Sequence, residues 1–381
     1  MNKENWTETL ISEIVEEISE RVDNPSKCGL ERFVGLEDFE PGVLTIRRWS
    51  SSNNLVSAMK LFKDGDILFA RRNAYLRRAS KVDFDGICSG DAIVLRPKDL
   101  IENELVPLIL NTNTFWEYAI ANAAGTMSKR VKWRDLAKYA FMIPKTSEEQ
   151  KQIISLFQSI VTAIEQVEYQ EKNLTALKKQ LLRDLFSGNQ KFGNYLTETD
   201  FEPVRFEKLA FNISERVEPK ETNLDTYVGL EHLDSDSLTI ERTGKPEDVI
   251  GTKLKIYKGD IIFGKRRAYL RKVAVAHFDG IASAHSMVLR ANEKNIEKDF
   301  LPYFMQSDTF MERAVQISEG SLSPTIKWKT LASQEFVLPK REKQTKLIDI
   351  FKQFDGTTNL LKQQISTLIT LKKNLLNEIL G

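Results

Sequence analysis

The sequence predicts a mixed α/β protein made of two homologous globular domains, each followed by one long helix of a coiled-coil pair. Three observations lead there. First, FVGLEDFEPGVLTI at residues 33–46 returns as YVGLEHLDSDSLTI at 227–240, and FDGICSGDAIVLR at 84–96 returns as FDGIASAHSMVLR at 278–290, all at one offset of 194 residues. Second, roughly half the positions of 65–96 are identical to their counterparts, a repeat far longer than solenoid units of roughly 20–50 residues, so each copy can bury its own core. Third, each globular stretch closes at a proline, Pro144 or Pro339, and is followed by apolar residues at heptad spacing.

Within each copy, the alternation of LTIRRW and the short apolar runs of DGDILFA and DAIVLR, bounded by Gly and Asp, predict strands. VPLILNTNTFWEYAIANAA and its partner LPYFMQSDTFMERAVQI predict helix. The first heptad seam is Ile153, Ile160, Val167, Leu174 and Leu181, with Phe157, Ile164 and Leu185 on the alternate line. The second is Leu347, Phe354, Leu361, Leu368 and Leu375, with Phe351, Ile365 and Ile379. Glu171, Lys178, Thr358 and Lys372 interrupt these lines, which predicts a contact that shifts along the helices. At about 1.5 Å per residue, helices this long extend on the order of 55 Å, beyond the domain each follows. Gly188 and Gly193 read as stop signals after the first helix. The expected order is a domain at 1–146, a helix at 147–188, a second domain at 189–341 and a second helix at 342–381.

Composition narrows the chemistry. The chain has 55 Lys+Arg against 54 Asp+Glu, so a polyanion must be met by a local patch and not by net charge. The two cysteines, Cys28 and Cys88, have no companions at metal-ligand spacing, which fits a reducing compartment. The acidic N-terminus is unlike a signal peptide, and no run approaches the roughly 18 apolar residues of a membrane span, so a cytoplasmic protein is expected. The histidines His232, His277 and His285 all lie in the second copy and face Asp38, Asp83 and Asp91 in the first. A duplicated enzyme should keep its chemistry twice; no nucleotide-binding glycine loop or zinc motif occurs either, and a non-catalytic chain is expected.

What the copies do share is charge. Arg71, Arg72, Asn73, Tyr75, Arg77 and Arg78 follow one strand, and Lys265, Arg266, Arg267, Tyr269, Arg271 and Lys272 follow its counterpart, with positive charge kept at four matched positions. Arginine forks suit phosphate or a guanine edge, and tyrosine can stack or bond the backbone. If this segment is extended, only alternate side chains share a face. A second surface is GTMSKRVKW against GSLSPTIKW, whose Ser128, Lys129, Arg130 and Lys132 face Ser323, Pro324, Thr325 and Lys327; Trp133 and Trp328 read as core anchors. A third is the polar break holding Asp91 in one copy and His285 in the other. Positions that differ between copies, Asn73 against Arg267 among them, are candidates for base readout. Asp85 and Asp279 of the FDG turns read as turn residues.

Taken together, the twice-repeated order of domain and helix, with YVGLEHL, GDIIFGKRRAYLRKVAVAHFDGIASAHSMVLR and IKWKTLASQEFVLP, resembles the specificity (S) subunit of Type I restriction-modification systems over essentially the whole chain. The resemblance implies that each globular unit is a target recognition domain reading half of a bipartite DNA site. It implies that the helices pair antiparallel, with pseudo-two-fold symmetry, as a spacer and as the dock for methyltransferase subunits. S-adenosylmethionine and ATP are then expected on partner subunits, with no cofactor in this chain, and a restriction subunit is a further partner. Half-sites about one helical turn apart, roughly 34–36 Å, can be engaged from one face. The likeness of the two copies predicts similar, inverted half-sites. Two other classes compete: a coiled-coil scaffold binding another polyanion or a protein, and a nuclease using Asp85 and Asp279.

Overall fold

A computed structural model describes residues 3–187, 192 and 194–381. Gly188 and Gly193, the expected stop signals, lie outside the described residues. The chain forms two compact units, Met1–Glu168 with Gln363–Gly381, and Tyr169–Lys362, so that each long helix contributes one part to each unit.

In the first unit, Trp6–Leu10 pairs antiparallel with Ala140–Pro144, closing the globular domain on itself. The centre is a four-stranded antiparallel sheet ordered Val15–Ile18, Ala92–Pro97, Ile67–Ala70, Ala79–Lys81. A second sheet, ordered Arg21–Val22, Met59–Phe62, Gly86–Cys88, Arg32–Val34, Ser50–Ser51, contains one parallel pairing, Arg32–Val34 beside Gly86–Cys88. Side-chain alternation explains why the central strands are apolar throughout. Ile67, Phe69, Ile93 and Leu95 face a core shared with the helices. Leu68, Ala70, Val94 and Ala92 face the other sheet, against Val34, Phe62 and Cys88. Burial on both faces removes the polar alternation that an open sheet would show.

The predicted long helical stretch is two helices, Leu105–Ile109 and Asn113–Ala121. Thr112 between them is extended and accepts from Phe115 N, restarting the helix as an N-cap. Ser307 does the same between Phe300–Gln306 and Asp308–Gln316 in the second unit. That unit repeats the plan: Phe201–Arg205 with Glu335–Pro339, then a sheet ordered Ala210–Ile213, Met287–Ala291, Ile261–Phe263, Val273–Val275. Its second sheet is Arg216–Val217, Lys253–Ile256, Gly280–Ala282, Tyr227–Val228. The buried carboxylate of the K-D-G-D turn, Asp66, accepts from Lys63 N at 2.8 Å and takes both ends of Arg96 at 2.8 Å; Asp260 repeats this with Tyr257 N and Arg290. Gly65 and Gly259, at φ 88 and 94, give those turns a conformation that a side chain would strain.

The long helices are Ser147–Phe186 and Arg341–Leu380, each of 40 residues and about 60 Å at 1.5 Å per residue. In the first unit Ile153, Phe157, Ile160 and Ile164 join Leu376 and Leu380 in the domain core, with Ile365, Leu368, Leu375 and Ile379 packed beside them. The start of one helix thus packs with the end of the other. In the second unit Leu182, Leu185 and Phe186 join Leu347, Ile348 and Phe351, with Leu181 packed alongside. Val167 is buried, and Leu174, Phe354 and Leu361 are half-buried. The two interrupting lysines are partnered. Lys178 pairs with Asp355, which also accepts from Tyr303 at 2.8 Å, and Lys372 donates to Gly42 O at 2.9 Å. Arg47 bonds Glu165 and Glu168, tying the first domain to its helix. No helix among the described residues is long and apolar enough to cross a membrane.

Candidate nucleic-acid interface

The central strand Ile67–Ala70 delivers the chain to Arg71, whose N donates to Asp91 O at 3.0 Å and whose O accepts from Val131 N at 2.9 Å. Asn73 N then donates to Lys129 O at 3.1 Å. In the second unit Ile326 N donates to Lys265 O at 3.0 Å, and Arg267 N to Pro324 O at 2.8 Å. The basic loop and the hydroxyl-rich loop, more than 50 residues apart in sequence, are therefore stitched together by main-chain bonds in both copies.

The basic stretch is not extended, as the alternating-face expectation required. Asn73 and Arg77 are left-handed, at φ 56 and 52, and flank a 3-10 turn, Ala74–Leu76; Arg267 and Arg271, at φ 57 and 53, flank Ala268–Leu270. The left-handed region costs a non-glycine residue about 1–2 kcal/mol, least for asparagine, so three arginines hold strained backbone here. Buried Ala74 and Ala268 anchor the turns, leaving Tyr75 and Tyr269 exposed. The turn sends the cations in different directions, which alternation along a strand could not foresee.

One set forms the surface where the three predicted segments meet. Arg72 Nε donates to Ser128 Oγ at 2.8 Å, and Arg266 Nε to Ser323 Oγ at 2.9 Å. Asp91 takes Arg130 at 2.7 and 3.2 Å, with Arg72 3.7 Å away. The Arg130 hydrogen bond, with help from Arg72 and Arg71, holds the Asp91 carboxyl below its ordinary range despite burial. In the second copy His285 Nε2 lies 3.1 Å from Arg266 Nη1. Burial, then Arg266, Lys265 and Lys253, lowers its affinity for a proton. The corresponding sites thus present a carboxylate clamped by arginines in one domain and an imidazole beside an arginine in the other.

A second set braces the loop from behind. Arg77 donates to Asn113 Oδ1 at 2.6 Å, and Arg78 to Leu36 O at 2.8 Å and Arg72 O at 3.3 Å. Arg271 meets Asp236 at 2.7 Å, Asp308 at 3.0 Å and Gln306 O at 2.7 Å, while Lys272 donates to Leu230 O at 2.6 Å. These partners, distant in sequence, gave no local signal. Lys327 pairs with Glu319, and Thr325 bonds Ser323 O.

Among the described residues Arg71, Lys129, Lys132, Lys265 and Arg267 have no carboxylate within ion-pair distance. Arg71 Nε is buried without a hydrogen-bond partner, and burial with Arg216 nearby weakens the hold of Lys265 on its proton. A desolvated, unpaired cation is stabilised by an incoming anion, and a phosphate supplies one. Trp133 and Trp328 are half-buried against the cores and open short helices. Asp85 and Asp279 accept from Asp64 N and Lys258 N, each at 2.8 Å, bonding a neighbouring turn and not their own.

Known proteins place this architecture. A chain of a type I R-M system, solved for its complex assembly and conformational transition, matches with TM-score 0.61 at 18% identity, over 98% of this chain and 97% of that one. The Type-I restriction-modification system S subunit from M. genitalium matches with TM-score 0.56 at 15% identity, over 100% and 98%. These likenesses show a shared fold. The Type I restriction enzyme EcoDI specificity subunit of Escherichia coli is 25% identical over 180 residues, 47% of this chain and 40% of that relative, so the match spans less than half of the relative's length. The model of the Type I restriction modification DNA specificity domain matches residues 51–175 and 227–371. With most of its residues inside that match, the chain belongs to the Type I restriction modification DNA specificity family.

Proposed function

We propose that the chain is the DNA-recognition subunit of a Type I restriction-modification complex. Each globular domain reads half of a bipartite, gapped duplex site, and the long helices set the gap and dock methyltransferase subunits. The chemistry, methylation with S-adenosylmethionine and ATP-driven restriction, then belongs to those partners. One observation carries the reading: three segments far apart in sequence converge, in both domains, on a surface of unpaired cations, serine hydroxyls and exposed tyrosine. Unpaired Arg71, Lys129, Lys132 and Lys265 serve phosphates, and phosphate contacts fix register. Arg72, Asn73, Asp91 and Arg130, against Arg266, Arg267, His285 and Thr325, are the side chains that differ or are differently partnered, and base contacts specify. The half-sites accordingly share a frame and differ in the bases read. Single-molecule sequencing of base modification in host cells, with and without the gene, tests this. A gapped motif methylated only when the gene is present supports the reading; a pattern indifferent to the gene removes it.

A further inference from the structure

Beyond the cationic surface, each domain presents one apolar side chain to solvent at the tip of its hydroxyl-rich loop: Met127 is 100% exposed and Leu322 93%. A single exposed apolar residue is ordinary and carries nothing. Here the feature occurs at the matched place in both copies, on a tip that is held. Ala124 and Arg130 exchange backbone bonds of 3.0 and 2.9 Å below the first tip, and Glu319 and Thr325 exchange bonds of 3.1 and 2.9 Å below the second. Gly125 and Gly320, at φ 126 and 106, start the bend from a conformation closed to side chains. The residue after each tip, Ser128 or Ser323, accepts from Arg72 or Arg266, so the apolar group stands directly beside the cations.

An apolar tip beside cations and hydroxyls complements a ligand whose edge is anionic and whose interior is a stack of flat apolar rings. Duplex DNA has that distribution, and methionine and leucine are among the side chains that wedge between base steps while arginine and lysine hold the backbone. We propose that Met127 and Leu322 are wedges, each entering a groove of its own half-site and opening one base step. The proposal rests on the DNA reading above. Unstacking one step would also ease extrusion of a nearby base, which enzymes that modify bases require.

The test uses the full chain in the complex it forms in its host, and the motif methylated there when the wild-type chain is present. M127S and L322S are compared with the conservative variants M127L and L322M, by affinity for a duplex bearing that motif and by 2-aminopurine fluorescence stepped through each half. The expected result is a loss on the order of 10-fold in affinity for each serine variant, the scale set by losing burial of one aliphatic side chain. The slope of affinity against salt stays unchanged, because no charge is removed. The fluorescence rise of an unstacked base disappears in one half for M127S and in the other for L322S, and both conservative variants retain it. The lack of any motif methylated when the wild-type chain is present removes the DNA reading and the wedge with it. A wild-type motif bound and unstacked equally by both serine variants removes the wedge alone, as does a loss seen only as failure to assemble with partner subunits.

Discussion

Arg271 Nε lies 2.7 Å from Asp236 Oδ1, a carboxylate that also holds Lys179 at 2.9 Å. A basic residue of the candidate DNA loop is thereby turned inward, toward the end of the first long helix. Burial works against ionised Asp236, but the bonds from Arg271 and Lys179 outweigh it and hold its pKa below the ordinary 3.8. Charge-assisted bonds of this kind are worth roughly 1.5–3 kcal/mol, so D236N should destabilise the second domain by about 2 kcal/mol at neutral pH. A depressed carboxylate contributes stability above its unfolded pKa and loses it as pH falls through the folded value. The gap between wild type and D236N in chemical denaturation should therefore be constant at neutral pH and close below 3.8.

Salt dependence separates the loop's two kinds of cation. Each phosphate contact contributes a slope of roughly −0.9 to log affinity against log salt. R71M and K265M should each flatten the slope by about 1, whereas R77M and R271M, whose native side chains are engaged within the protein, should leave it nearly unchanged and act on thermal stability. Equal slopes for all four would reject the division.

His285 should titrate below 6.5, because burial and the neighbouring Arg266 and Lys265 oppose a further positive charge. Any stability this imidazole contributes is full above 6.5 and falls as pH drops toward the folded value. An NMR titration of His285 in wild type and R266M checks it: the His285 midpoint should rise in the variant, and an unmoved midpoint would reject the role given to Arg266.

Lys178 and Asp355 occupy apolar-seam territory in the second unit, with Lys178 only 12% exposed. Removing one member of such a pair strands the other, and replacing both with apolar residues often restores stability. K178M should cost roughly 1–3 kcal/mol, and K178M/D355L should recover only part of it because the Tyr303 hydroxyl loses its acceptor, whereas adding Y303F should recover the rest; a double-mutant cycle measures this.

Readout should be exchangeable between copies. D91H with R130T gives the first domain the second's side chains at those two places, so the methylated motif should change in one half only. A motif unchanged in both halves would mean that these positions do not read bases.

Much of this protein is written locally. The 194-residue repeat, the strands around Ile67 and Ile261 and the heptads from Ile153 and Leu347 are set by short-range pattern, because period-two and heptad spacing follow from backbone geometry alone. The conversion of the basic stretch into a 3-10 turn between left-handed residues was less legible, since arginine has no intrinsic preference for that region. The division of labour among the cations was not legible at all. Arg77 against Asn113, Arg271 against Asp236 and Asp308, and Arg72 against Ser128 join residues between 35 and 56 positions apart. By itself the sequence determined the duplication, the mixed α/β class, the long helices and which segments carry charge, because these depend on composition and period. Only the tertiary structure decided which cations brace the loop and which remain unpaired at the surface, because a side chain's electrostatic partner is chosen by the packing of sheets and helices and not by its neighbours in the chain.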